Sequence, residues 1–265
     1  MRSLPIAVGG LVLALGLTAC GGGGKETPTT TTQPASAPPI ATLPDDPADV
    51  RRAAALGPSL ADITAAAQAA NPTRVDKQAA QPTDYRGNPD LKAEREQCGL
   101  GAAKGPQDTG FGEGPAGLIK DPLTNKTLLV ASQGLVAKTD AARELKIRSV
   151  KDPVTISCMQ SVLDQRARAE RVKRDVTEAQ LTATQTVEPL VLPGLGSSTV
   201  AYRIHLTVSL QGGSTIDQYV DLLMTFVGRA QISVVVESAE GPPSPEFDAR
   251  IVDRMRANAI RVMAS

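Results

Sequence analysis

The chain has no Trp, one His, three Cys and an aromatic content of 2% in 265 residues. So few rings leave little from which to build a stacking platform for bases or sugars. One imidazole and no carboxylates clustered at ligand spacing give a metal too few partners. Excess charge of either sign is also missing, since 28 basic side chains balance 28 acidic ones. Nucleic-acid binders carry a basic surplus that neutralises phosphates. These absences predict no nucleic-acid partner, no metal and no cofactor. What is present is 41% hydrophobic and 21% charged residues, a balance that suits a folded body rather than a disordered chain.

A long apolar run is missing too. Pro5 to Leu17 is about 13 residues without a polar side chain, short of the roughly 20 that cross a hydrocarbon core. Preceded by Arg2, it reads as a secretory signal. The run ends Leu17-Thr18-Ala19-Cys20-Gly21, which resembles a bacterial lipobox, where a small residue precedes a Cys that is diacylated before cleavage leaves it first. The expectation is a signal peptide over 1–19 and a diacylglyceryl Cys20 that tethers the chain to the extracytoplasmic face of the cell membrane, two acyl chains sufficing for stable anchoring. Ordinary cleavage beside an incidental Cys is the alternative. Gly21 to Gly24 and the Thr/Pro/Ala-rich Thr27 to Pro44 follow. With little apolar surface to offset the cost of ordering, 20–44 reads as a stalk with a reach of roughly 28 Å.

Beyond Cys20, Cys98 and Cys158 remain, an even pair suited to an oxidising compartment. A disulfide between them closes a loop of about 60 residues. Two free buried thiols are the alternative.

The body, 45–265, reads as a single domain, with a helical and loop part over 45–117 and a core over 118–265. Asp46 caps a helix with Pro47 at its first position, and Ser59 followed by Asp62 forms a capping box before Ile63 to Ala70. Thr73 to Gly117 reads mostly as loop, with a short helix at Leu91 to Gln97. Gly112-Glu113-Gly114-Pro115-Ala116-Gly117 formally matches a dinucleotide fingerprint. Pro115 removes an amide the phosphates need and no good strand precedes it, so the stretch reads as loop. Leu118 to Lys120 and Lys126 to Ser132 read as strands, and the sequon Asn125-Lys126-Thr127 as an unmodified turn. Thr139 caps a helix from Asp140 to Ile147, and Asp152-Pro153 starts another, in which Ile156, Met159, Val162, Leu163 and Arg166 share a stripe. The basic run from Arg166 to Arg174 is a solvated helix end, or a contact for anionic lipid headgroups.

Val200, Tyr202, Ile204, Leu206, Val208 and Leu210 alternate with residues that are polar except for Ala201, the mark of a half-buried antiparallel strand. Gly212-Gly213 turns it, Ile216 to Val227 returns, Gly228-Arg229 turns again, and Ala230 to Glu237 runs back. With Leu181 to Leu190 this makes a meander over 181–237. The predicted class is α+β: an antiparallel sheet of four to six strands with helices on one face, closed by an amphipathic helix from Glu246 to Met263 that buries Phe247, Ile251, Met255 and Ile260. If even positions of the last three strands share the core face, a three-residue loop of Gly212 to Ser214 sets His205 opposite Asp221. The other face then carries Arg203, His205, Thr207, Asp217, Asp221, Thr225, Gln231, Ser233 and Glu237. Such a face is a ligand floor or the wetted side of the sheet.

The order of these features resembles actinobacterial surface lipoproteins similar to the extracellular sensor domain of PknH-type mycobacterial receptor kinases, over residues 98–263. Three segments carry the likeness: Asp140-Ala141-Ala142-Arg143 before Ser157-Cys158-Met159, then Ser197-Ser198-Thr199-Val200-Ala201-Tyr202-Arg203, and Asp221-Leu222-Leu223-Met224-Thr225-Phe226-Val227-Gly228-Arg229. It implies an α+β sandwich with a ligand cleft. No kinase domain is present, so a signalling role needs a partner protein. The expected function is a lipid-anchored, non-enzymatic binding or sensor-like module for a small molecule or lipid, with Arg203, His205 and Asp221 as candidate ligand contacts. The alternatives are a docking or lipid-carrying envelope protein and a hydrolase built on His205, Asp221 and Ser233, which lacks a Gly-x-Ser-x-Gly elbow.

Overall fold

A computed structural model describes residues 43–70, 80–83, 98, 107–121, 123–173, 181–210 and 215–265, all within the second of the chain's two units, Ile40–Ser265. Cys20, the stalk up to residue 42, the helix read at Leu91 to Gln97 and the side chains from Arg166 to Arg174 lie outside the described residues.

Helix α1 (Pro47–Leu56) starts where the Asp46 carboxylate accepts the Ala48 and Asp49 amides at 2.8 and 3.3 Å. Helix α2 (Leu60–Ala70) opens on the expected capping box. The Ser59 hydroxyl accepts the Asp62 amide at 3.1 Å while Asp62 accepts the Ser59 amide at 3.0 Å.

Strand β1 (Gln81–Pro82) is short, and β2 (Asp108–Lys120) and β3 (Thr127–Ala137) form a long hairpin. The loop read up to Gly117 is therefore corrected: strand begins at Asp108 and contains the whole Gly-rich stretch. Its glycines serve helix packing. A Cβ on Gly110 would stand 2.3 Å from the backbone of Asp49, on Gly112 2.3 Å from Ala54 N, and on Gly134 of β3 2.1 Å from Ala53 O. α1 lies directly on this bare patch of sheet.

The chain then crosses to the far edge through helices α3 (Asp140–Lys151), capped by Thr139, and α4 (Pro153–Lys173). Strands β4 (Leu181–Pro189), β5 (Thr199–Leu210), β6 (Thr215–Val227) and β7 (Ala230–Ser238) return as a meander, and helix α5 (Pro245–Ala264) ends it. The sheet is seven-stranded and antiparallel throughout, in the order β1-β2-β3-β7-β6-β5-β4. The α+β class holds, with more strands than the four to six expected.

Helices cover both faces rather than one. On one face Val200, Tyr202, Ile204, Leu222 and Met224 pack with Val150 of α3, Met159 and Val162 of α4, and Cys98. On the other, Val130, Leu223, Ile232 and Val234 pack with Ala53 and Leu56 of α1, Ile63 of α2, and Phe247, Ile251 and Met255 of α5. Ile260 is exposed, contrary to the expected stripe. Five positions after Met255, it is turned about 140° from it at 100° per residue. Cys98 and Cys158 are joined by a disulfide.

Turn length explains the two faces. The two-residue Gly228-Arg229 turn pairs Val227 with Ala230, so residues of unlike parity oppose, with Gly228 supplying the positive φ of 52°. The even residues of β7 therefore share a face with the odd residues of β6. Ser233 and Glu237 thus lie on the opposite side of the sheet from Arg203 and His205, which corrects the single polar face expected.

Candidate functional site

The β5–β6 register pairs Arg203 with Asp221, His205 with Tyr219, Thr207 with Asp217 and Ser209 with Thr215. The expected loop of Gly212 to Ser214 lies outside the described residues, but the register on either side of it is offset by two positions from the one it predicted. His205 accordingly faces Tyr219 rather than Asp221. The three candidate contacts divide between two neighbouring clusters on the α5 side of the sheet.

The first cluster is buried. Arg203 donates from Nε to Asp221 Oδ1 at 2.7 Å, and from NH2 to Asp221 Oδ2 at 2.5 Å and the Pro243 carbonyl at 3.0 Å. Asp221 is fully buried and the Arg203 side chain 13% exposed. The bonds to Asp221 raise the guanidinium's affinity for its proton. Asp121, in the β2–β3 turn, accepts from the amide of Ser244 at 2.9 Å and its hydroxyl at 3.1 Å. Asp248, in the first turn of α5, is also fully buried. Burial and the facing Asp221 push its carboxyl well above the ordinary range.

The second cluster is open. His205 stacks on Tyr219 with ring centroids 4.2 Å apart and planes 7° from parallel. Its Nε2 lies 2.9 Å from Asp217 Oδ1, and the Thr207 hydroxyl donates to the same oxygen at 2.7 Å. The side chains of His205 and Asp217 are 32% and 42% exposed. The bonds from Thr207 and then His205 hold the Asp217 carboxyl below its usual value. Thr186 of β4 stands opposite His205, and Thr184 opposite Thr207. Both threonines are exposed, extending a polar strip across three strands.

The hydrolase arrangement is not assembled. Ser233 is on the other face, Asp221 is taken by Arg203, and Nε2 of His205 meets both Asp217 and Thr207, 3.1 Å from the latter's Oγ1. A relay needs the two ring nitrogens to face different partners. Among the described residues, no group of three His, Cys, Asp or Glu is placed to hold a metal, and no helix is long and apolar enough to cross a membrane.

A shallow groove of about 530 Å³ runs between α4 and β4, lined by Ile156, Gln160, Asp164 and Val187 among others. The Gln160 amide donates to the Gln185 carbonyl at 2.7 Å and accepts from the Val187 amide at 3.1 Å. It satisfies the open edge of the sheet as a neighbouring strand's peptide would.

Sequence reasoning missed Tyr219 and Asp248. Tyr219 has the odd numbering of the polar residues on β6 but an apolar ring. Asp248 shares a helix face with Phe247, Ile251, Val252 and Met255, and a lone acid inside an apolar stripe was the signal available.

No protein-family model and no curated protein matches the chain. Among solved structures it is similar to the extracellular domain of PknH from Mycobacterium tuberculosis, at 12% identity and a TM-score of 0.35, covering 78% of this chain and 95% of that one.

Proposed function

We propose that the chain is a lipid-anchored, extracytoplasmic binding module that performs no catalysis and contacts its ligand through the polar strip around His205 and Tyr219. The strip carries the reading. It is the stretch where the sheet's α5-side face is half-exposed and already ordered by side-chain bonds, so little ordering is left for a ligand to impose. The lipobox at Leu17 to Cys20 supports the address, and the Cys98–Cys158 bond suits an oxidising compartment.

Two measurements test the two halves. Mass spectrometry of the membrane fraction is expected to find the mature chain beginning at a diacylglyceryl Cys20, and an unmodified, freely secreted chain overturns the anchor. Native mass spectrometry of the body from residue 45 is expected to show a small molecule retained by the wild type and lost from a His205→Ala, Tyr219→Ala double variant. Equal retention in both moves the site elsewhere. A body that holds nothing, even after incubation with envelope extract, overturns the binding reading.

A further inference from the structure

We infer that the first turn of α5 is fastened to the sheet by one proton held between Asp248 and Asp221, and that this fastening opens when the proton leaves. The inference is independent of any ligand and rests on a count of donors. Three fully buried carboxyl groups meet under the start of the helix: Asp121, Asp221 and Asp248. Asp121 is supplied by the amides of Leu123 and Thr124 and by both donors of Ser244. Asp221 is supplied at each oxygen by Arg203. Among the described residues no N–H or O–H donor reaches either oxygen of Asp248.

The charged groups facing Asp248 are Asp221 on β6, Arg203 on β5 and Asp121 in the β2–β3 turn, with Glu188 of β4 acting on Arg203 from beyond. One guanidinium, already committed, thus stands among three acids. A buried carboxyl that faces a carboxylate and receives no donor is satisfied by keeping its own proton and donating it. The direction of its acidity agrees, being well above the ordinary value. A raised folded value means the contribution is complete below the unfolded carboxylate range and is lost as pH rises through the folded value. Ionisation sets a second negative charge against Asp221, and the turn from Pro245 must lift for water to reach it.

Hydrogen exchange on the whole chain tests this, read as protection factors so that the intrinsic pH dependence cancels. In the wild type, protection at Asp248 to Val252 is expected to fall tenfold or more between about pH 6 and pH 9, while Met255 to Ala259 holds. In Asp248→Asn, which still donates to Asp221 and has no proton to lose, the first turn is expected to stay protected across that range. The same profile in both proteins, or a flat profile in the wild type, overturns the inference. If the variant does not fold, the carboxyl ¹³C shift of Asp248 in the wild type decides: a protonated group at pH 6 supports the latch and an ionised one overturns it.

Discussion

Asp49 and Asp248 are the same residue type, both buried in the first turn of a helix, and their acidities move in opposite directions because only one of them has donors. Burial pushes the Asp49 carboxyl up, but bonds from Thr109, Arg229 and Arg52 outweigh it and hold the group below its usual value. Thr109 Oγ1 donates at 2.5 Å, and Arg229 donates from both terminal nitrogens at 3.2 Å. A depressed folded value contributes stability above the unfolded carboxylate range that is lost as pH falls through the folded value. Asp49→Ala is expected to cost about 2 kcal/mol at neutral pH, since it also strands a partly buried guanidinium. The gap between variant and wild type narrows at pH 3. Urea unfolding midpoints at pH 7 and pH 3 check this, and a gap of unchanged size shows that Asp49 acts by packing instead of charge.

Elements in this fold announce themselves unevenly. The helices carry their starts in sequence, at Asp46-Pro47, Ser59 with Asp62, Thr139 and Asp152-Pro153, because a cap is a local bond between near neighbours. β5 is equally plain from its alternation. β2 was hidden because its pattern consists of missing side chains: Gly110 and Gly112 reserve room for the backbone of α1, which the local sequence does not display. The facing of β7 depended on whether a turn holds two residues or three, a difference of one position that decides which side every later side chain takes. For the site, parity named His205, Thr207 and Asp217 of the open strip and Arg203 and Asp221 of the buried cluster, while Tyr219, Thr184 and Thr186, and the division into two clusters, depended on register. Gly112→Ala and Gly134→Ala are each expected to push α1 from the sheet at a cost of about 3 kcal/mol or more. Gly196→Ala, with open space around it, is expected to stay within about 0.5 kcal/mol. Thermal unfolding of the three variants compares them, and equal losses would mean that backbone entropy, not close approach, fixes these glycines.

At the scale of the molecule, the bond between Cys98 and Cys158 ties α4 to a residue far upstream across the core of the α3–α4 face. For a closed loop of about 60 residues, chain entropy assigns roughly 4 kcal/mol to the cross-link. Reduction is therefore expected to lower the denaturation midpoint substantially while the order of the strands survives in native buffer. Midpoints with and without reductant measure it, and coincident curves would show that the cross-link leaves the unfolded chain no more restricted than before.

The seam at the middle of the sheet joins β3 to β7, from Leu129 against Glu237 to Val136 against Ala230. Partners there stand roughly a hundred positions apart, so the two half-sheets meet late and the transition state carries a long closure. A ribosome or export channel that has released everything up to Val227 has released the β2–β3 hairpin and three strands of the meander, yet not β7, the strand that joins their edges. Until the final forty residues emerge, the nascent polypeptide is two open-edged fragments on one string, and whatever escorts it must shield both.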